Sequence, residues 1–112
     1  MDNMQKKIPI GILGATGMVG QRFVSLLAKH PWFEIVALSA SERSAGKTYG
    51  AAVGERWVMS TTLPDSVSSI MVHDVEKDKA AIAAKVRVVF SAIDADKDVI
   101  KRMEEEYAAA GV

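Results

Sequence analysis

The sequence predicts an α/β fold, a doubly wound, mostly parallel sheet with helices on both faces and strands in the order 3-2-1-4. Three observations predict it. Apolar runs of strand length alternate with amphipathic segments of helical period. The first run, Ile8 to Leu13, passes without a polar interval into Gly14-Ala15-Thr16-Gly17-Met18-Val19-Gly20 and then into a helical pattern. Strand, glycine turn and helix together place the free N–H groups and dipole of a helix N-terminus where they attract an anion. The segments that stand out by composition, those after Leu13, Leu38 and Phe90, all fall at carboxyl ends of strands. That is the edge at which open parallel sheets bind ligands.

Taken in order, Ile8 to Leu13 is nearly all apolar, as suits a strand covered on both faces, and Pro9 is tolerable near its start. From Met18 a helix is expected with Val19, Phe23, Leu26 and Leu27 on its buried stripe and Gln21, Arg22, Ser25 and Lys29 turned elsewhere. Lys29-His30-Pro31 supplies cations for the last turn and a proline stop. Glu34 to Leu38 is the second strand, followed by the polar loop Ser39 to Lys47. The signal from Thr48 to Trp57 is poor, because Gly50 and Gly54 oppose a long helix; Trp57 to Met59 is a candidate extended piece and Pro64-Asp65-Ser66 a turn. Ile70 to Val72 is a weak third strand, with a helix beginning at or just after Asp74 and running through Ala84. Val86 to Phe90 is the fourth strand. The last helix starts near Asp94 or Asp96, buries Val99, Met103 and Tyr107, and meets Gly111 as its C-terminal glycine. Met18 and Met71 read as packing residues, and Glu104-Glu105-Glu106 as a solvated face.

Composition narrows the class. The 112 residues fit one domain, 1–112, long enough for a core but short for a complete nucleotide-dependent enzyme. Fourteen basic and fourteen acidic residues give zero formal charge, so nothing favours capture of nucleic acid or an acidic membrane. There is no cysteine, hence no disulfide framework, thiolate metal site or cysteine nucleophile within these residues. The opening residues show no secretory pattern, no apolar run is long enough to span a membrane, and the chain reads as cytoplasmic. His30 and His73 lack a partner thiol or hydroxyl in a plausible crevice and read as structural, so no catalytic or metal-binding residue is expected here.

The chemistry concentrates at two strand ends. The glycine turn is a candidate cradle for a dinucleotide pyrophosphate. The end of the second strand, which in dinucleotide-binding folds reports on the adenosine ribose, carries Ser39, Ser41, Arg43 and Ser44 in place of a carboxylate. Hydroxyls and a guanidinium suit a 2′-phosphate, which favours NADP over NAD. Two alternatives stay open: Glu42 serves a ribose or faces water, and the whole loop is a solvated, serine-rich turn.

These segments, with Phe90-Ser91-Ala92-Ile93-Asp94, resemble the three cofactor-contacting stretches of the aspartate-semialdehyde dehydrogenase family, and most closely its archaeal and fungal branch. The resemblance runs from Ile8 to the end. It implies a Rossmann-like domain of an NADP-dependent oxidoreductase that interconverts aspartyl phosphate and aspartate semialdehyde on the route to lysine, threonine and methionine. It implies that Gly14 and the backbone of Thr16, Gly17, Met18 and Val19 hold the pyrophosphate, that Ser39, Ser41, Arg43 and Ser44 surround the 2′-phosphate, and that Ser91 and Ala92 let the dinucleotide pass close to the sheet edge. The thioester-forming cysteine, the acid–base histidine and the substrate-holding residues of that family lie beyond the segment matched here. The chain therefore reads as the N-terminal cofactor part of such an enzyme, inactive alone, with the catalytic and dimerisation part absent and a homo-oligomer expected for the whole.

Three rivals share parts of this pattern. N-acetylglutamyl-phosphate reductase opens with a similar glycine loop, and a malonyl-CoA reductase of the same branch looks nearly identical in this half. Extended short-chain dehydrogenases use the same loop but need a Tyr-x-x-x-Lys pair, and neither Tyr49 nor Tyr107 has Lys four residues on. A nucleotide-binding module without chemistry is the alternative from another class.

Overall fold

The computed structural model describes residues 7–112; the absence of a secretory pattern in the opening segment concerns residues outside that range. Four parallel strands, β1 (Ile8–Leu13), β2 (Phe33–Ala40), β3 (Val72–Asp74) and β4 (Val88–Ser91), form one sheet in the order β3-β2-β1-β4. This is the predicted 3-2-1-4 order. Among the described residues there are also five helices, α1 (Met18–Leu27), α2 (Tyr49–Val53), α3 (Asp65–Ser68), α4 (Lys79–Lys85) and α5 (Lys97–Ala109), with a 3₁₀ turn at Gly54–Arg56.

Successive residues of a strand face opposite sides, so β1 feeds two cores. Ile10 and Ile12 join Val24 of α1, Leu38, Tyr49, Val53 and Val67 on one face. Leu13 joins Ala37, Val75, Ile82, Met103 and Tyr107 under α4 and α5 on the other. Both faces being covered, no position of β1 beyond its first two residues is free for a polar side chain. α5 follows the predicted stripe, burying Met103 and Tyr107 with Val99 packed beside them. It ends with Gly111 at φ 101°, the left-handed position that glycine occupies without a Cβ penalty.

Several local expectations are corrected. Of the expected stripe of α1, Leu27 is buried and Phe23 packs against the core, but Val19 and Leu26 point to solvent and Gly20, Gln21 and Val24 complete the buried face. The cause is Gly20: a Cβ there would stand 2.2 Å from the Gly14 carbonyl oxygen, so α1 lies against the glycine turn and its rotation is set by that contact, not by the most apolar stripe. α1 ends at Leu27, which leaves Lys29 and His30 past its last turn. Met18 and Met71 are exposed rather than packed.

β2 continues to Ala40 because Ser39 and Ala40 pair with His73 and Asp74. The third strand begins at Val72 instead of Ile70, since Ile70 O accepts from Tyr49 N (2.8 Å) and Met71 bridges to Thr48. The proline turn closes into the single-turn helix α3, with Ser68 N bonded to Pro64 O at 2.9 Å. β4 starts at Val88, two residues later than expected. α4 starts only at Lys79, because the Asp74 carboxylate accepts from the N–H groups of Glu76 (2.9 Å) and Lys77 (3.0 Å) and holds the intervening residues in a turn. Asp78 answers it by accepting from Asp74 N at 2.8 Å. Glu106 departs from the solvated acidic face by pairing with Lys79 (2.5 Å) and Arg102 (3.2 Å), and Arg102 reaches Glu76 at 2.8 Å.

These contacts fix a pH dependence. The backbone bond from Lys77, aided by that from Glu76, holds the Asp74 carboxyl below its ordinary range, and Lys79 followed by Arg102 does the same for Glu106. A carboxyl with a depressed folded-state pKa contributes stability above its unfolded value, and that contribution is lost as pH falls through the folded value. The urea midpoint is expected to be flat from neutrality to about pH 5 and to fall below about pH 4. Asp74→Asn keeps an acceptor for both N–H groups but carries no charge, so its midpoint is expected to fall less steeply over the acid range. An unchanged slope would remove Asp74 from this account.

Candidate functional site

The carboxyl ends of all four strands open into one crevice of about 850 Å³. Its walls are the glycine turn, the loop after β2, the Asp74 turn and residues 92–95 after β4, with Met103 of α5 behind them.

The glycine turn is held from the protein side. Gly14 takes φ 72°, and a Cβ at that position would lie 2.5 Å from Ala92 O. Ala15 N donates to Ser39 O (2.8 Å), and Ala15 O accepts from the wholly buried Tyr49 hydroxyl (2.7 Å). Burial raises the Tyr49 pKa, so the hydroxyl stays a donor. Thr16 O accepts from Gln21 Nε2 at 3.0 Å. Gln21 is 2% exposed and also donates to Arg56 O (2.9 Å) while its Oε1 accepts from Val58 N (2.9 Å).

The ligand side is left open. Gly17 is the N-cap of α1, has φ −78°, and a Cβ built on it meets nothing within 4 Å. No side chain caps this helix and no acid stands in its first turn. Its first backbone bond is Gln21 N to Gly17 O at 2.9 Å, so the N–H groups ahead of Gln21 have no acceptor within the helix. An uncapped helix start beside open space favours an anion through both its donors and its dipole.

At the next strand end Ser41 O accepts from Ser44 N (2.9 Å) and Ala45 N (3.2 Å), while Gly46 N donates to Val72 O (2.9 Å). The loop is thereby folded onto β3, with Ser41, Glu42 and Arg43 exposed at the crevice rim. Glu42 stands 3.8 Å from Lys77, both 76% exposed, a geometry worth little in water. After β4, Ala92 N donates to Leu13 O at 2.8 Å, which brings Ala92 against the glycine turn.

Of the residues singled out in the sequence, Gly14, Thr16, Gly17, Ser41, Arg43 and Ala92 converge on the crevice. Ser44 lines an adjoining recess instead. Met18 and Val19 supply the first N–H groups of α1 and turn their side chains to solvent. Ser39 and Ser91 flank Leu13 in register, and the hydroxyl of each is buried without a hydrogen-bond partner. Sequence reasoning missed Lys77, Lys79 and Met103 on the walls and Gln21 and Tyr49 behind the turn. Only Tyr49, a bulky aromatic beside the serine-rich loop, carried any signal. No cluster of metal-ligating side chains occurs among the described residues. His73 lies within β3 near Lys85 (3.1 Å) and Asp78 (3.5 Å), and His30 accepts from Trp32 N (3.0 Å).

Order 3-2-1-4, a glycine turn after the first strand and a crevice across the switch point define a Rossmann-type nucleotide-binding domain. The family profile described as "Semialdehyde dehydrogenase, NAD binding domain" matches residues 9–112, and the chain belongs to that family. It is 46% identical over 104 residues to the aspartate-semialdehyde dehydrogenase of Cryptococcus neoformans, covering 93% of this chain and 27% of that protein. The enzyme of the same name from Methanothermobacter thermautotrophicus is 46% identical over 101 residues, 90% of this chain and 27% of its own length. Among solved structures, the aspartate semialdehyde dehydrogenase of Candida albicans with NADP superposes with a TM-score of 0.83 at 45% identity, over 96% of this chain and 28% of that one. The chain thus spans about a quarter of the length of these relatives, which are fungal and archaeal as the motifs implied.

Proposed function

We propose that residues 1–112 are the NADP-binding domain of an oxidoreductase interconverting aspartyl phosphate and aspartate semialdehyde. The observation that carries the cofactor assignment is the uncapped N-terminus of α1 beside the open Gly17, with Arg43 and Ser41 at the adjacent strand end. The N–H groups of Gly17, Met18 and Val19 hold the pyrophosphate. Arg43, Ser41 and Ser44 receive the 2′-phosphate, and Ser39 supports them from within β2. Ala92 and Ser91 let the dinucleotide lie against the sheet. Gly14 keeps the turn close to Ala92 so that this approach is possible. Bound NADP supplies hydride exchange with the acyl carbon.

The chain has no cysteine, so the covalent step belongs to a catalytic part beyond these residues in a homo-oligomeric, cytoplasmic enzyme. Among the described residues no helix is long and apolar enough to cross a membrane.

Calorimetric titration with NADPH and NADH tests the assignment. NADPH is expected to bind more tightly, and Arg43→Ala to remove most of the difference, about tenfold or more for a lost charge-assisted contact. Equal affinities in the unaltered chain would overturn the choice of NADP.

A further inference from the structure

The two flanks of α5 differ. On one, Arg102 is tied to Glu76 at 2.8 Å and Glu106 to Lys79 at 2.5 Å. At about 100° per residue, the other flank carries Lys97, Ile100, Lys101, Glu104 and Ala108, with Glu105 at its outer margin. These residues line a shallow groove of about 370 Å³, and none of them borders the crevice. Ile100 is half-buried and the others are exposed. The groove is aliphatic along its floor, from Ile100, Ala108 and the methylene stems of the lysines and glutamates, and carries charged heads at its rim.

The charges of this flank are ordered along the helix. Lys97 and Lys101 stand toward its start, Glu104 and Glu105 toward its end. For α5 by itself that order is unfavourable. The helix dipole favours acids at the start and bases at the end, Lys97 and Lys101 repel one turn apart, and Lys ahead of Glu is the weaker order for a pair at i, i+4. Lys101 has Glu104 and Glu105 on the next turn, yet none of these four charged groups takes part in an ion pair or a side-chain hydrogen bond among the described residues. An antiparallel helix of the same sequence brings acids to the cations and cations to the acids.

We propose that this flank is a docking surface for a second copy of the chain, α5 against α5 about a two-fold axis. Such a contact is isologous, so each pairing across it occurs twice. With the axis level with the junction of Arg102 and Met103, Lys101 of each copy lies opposite Glu104 of the other, and Lys97 comes within reach of Glu105. Ile100 and Ala108 close the seam between these pairs. Charge complementarity selects the occupant, because the flank is its own complement once reversed. A seam of 13 residues, about 20 Å long, buries less than the about 1,200 Å² of a stable complex. The dimer is therefore weak and is loosened by salt.

Sedimentation equilibrium of the 112-residue chain from about 10 μM to about 1 mM is the test. A monomer–dimer equilibrium is expected, shifted toward monomer by added salt. Lys101→Glu and Glu104→Lys are each expected to weaken the dimer at least about tenfold, because like charges then face each other twice. Mixing the two variants in equal amounts is expected to restore it, since in the mixed pair both contacts again join opposite charges, and the chain carrying both substitutions does so alone. Urea midpoints and NADPH titration are expected to stay at the values of the unaltered chain, which separates loss of the contact from loss of the fold. A chain that stays monomeric to about 1 mM overturns the proposal. So does a dimer indifferent to both substitutions, which pairs through another surface such as β4 at the end of the sheet. Variants that dissociate singly and are not rescued by mixing overturn the two-fold antiparallel contact.

Discussion

Gly14→Ala is expected to abolish stable folding, while Gly17→Ala folds normally and loses the cofactor. The three glycines of the turn do different work. Gly14 sits at φ 72°, where an L side chain costs about 1–2 kcal/mol, and the new Cβ would lie 2.5 Å from Ala92 O and 2.7 Å from its carbonyl carbon. The atoms in the way are backbone, tied to Leu13 by the Ala92 N–H bond at 2.8 Å, so relief requires pulling β4 from β1. The combined cost approaches the about 5–15 kcal/mol by which a domain is stable. Gly20→Ala meets the Gly14 carbonyl in the same way. At Gly17 the backbone is ordinary and the space empty, so Ala changes the free energy of unfolding by less than about 1 kcal/mol. Its methyl occupies the ground assigned to the pyrophosphate, and NADPH affinity is expected to drop at least tenfold. Circular dichroism and urea titration of the three variants, with NADPH titration of the folded ones, separate the roles. A folded Gly14→Ala, or a Gly17→Ala that binds NADPH like the parent, would contradict this division.

The sheet was legible because its determinants are local. An apolar run, a glycine turn and a 3.6-residue period identify β1 and α1 without reference to distant residues, and strand order follows from where the glycine turn falls. What escaped was set by contacts remote in sequence. β2 gains Ser39 by pairing with both Leu13 of β1 and His73 of β3, and Ala40 by pairing with Asp74, while β3 loses Ile70 and Met71 to the start of α2. In the site, the glycines and Arg43 announced themselves by type. Lys77 and Lys79 did not, because a basic residue beside a turn looks the same whether it faces bulk water or the wall of a crevice. The rotation of α1 is the clearest case, since hydrophobicity and the Gly20 contact disagree and the backbone contact wins.

That disagreement inverts the sign of a pair of substitutions. If the apolar stripe governed α1, Leu26→Gln would remove a core residue and Gln21→Leu would be harmless or favourable. The structure requires the reverse. Leu26 is 67% exposed, and its replacement by Gln is expected to change stability by less than about 0.5 kcal/mol. Gln21 is 2% exposed and satisfies Thr16 O, Arg56 O and Val58 N together. Leu fills a similar volume but strands all three groups, at about 1–2 kcal/mol each, so Gln21→Leu is expected to cost about 3–5 kcal/mol in urea unfolding. The loss extends to the crevice, because Thr16 O is one of the anchors that hold the glycine turn still and Arg56 lines the recess that adjoins it. Where Gln21→Leu remains folded, for instance at low temperature, NADPH affinity is expected to fall with it, whereas Leu26→Gln binds as the parent does. A Leu26→Gln variant less stable than Gln21→Leu would return α1 to the orientation its hydrophobic pattern suggests. The polar residue nearest the glycine turn would then face water, leaving the turn to be held by Ala15 and Tyr49 alone.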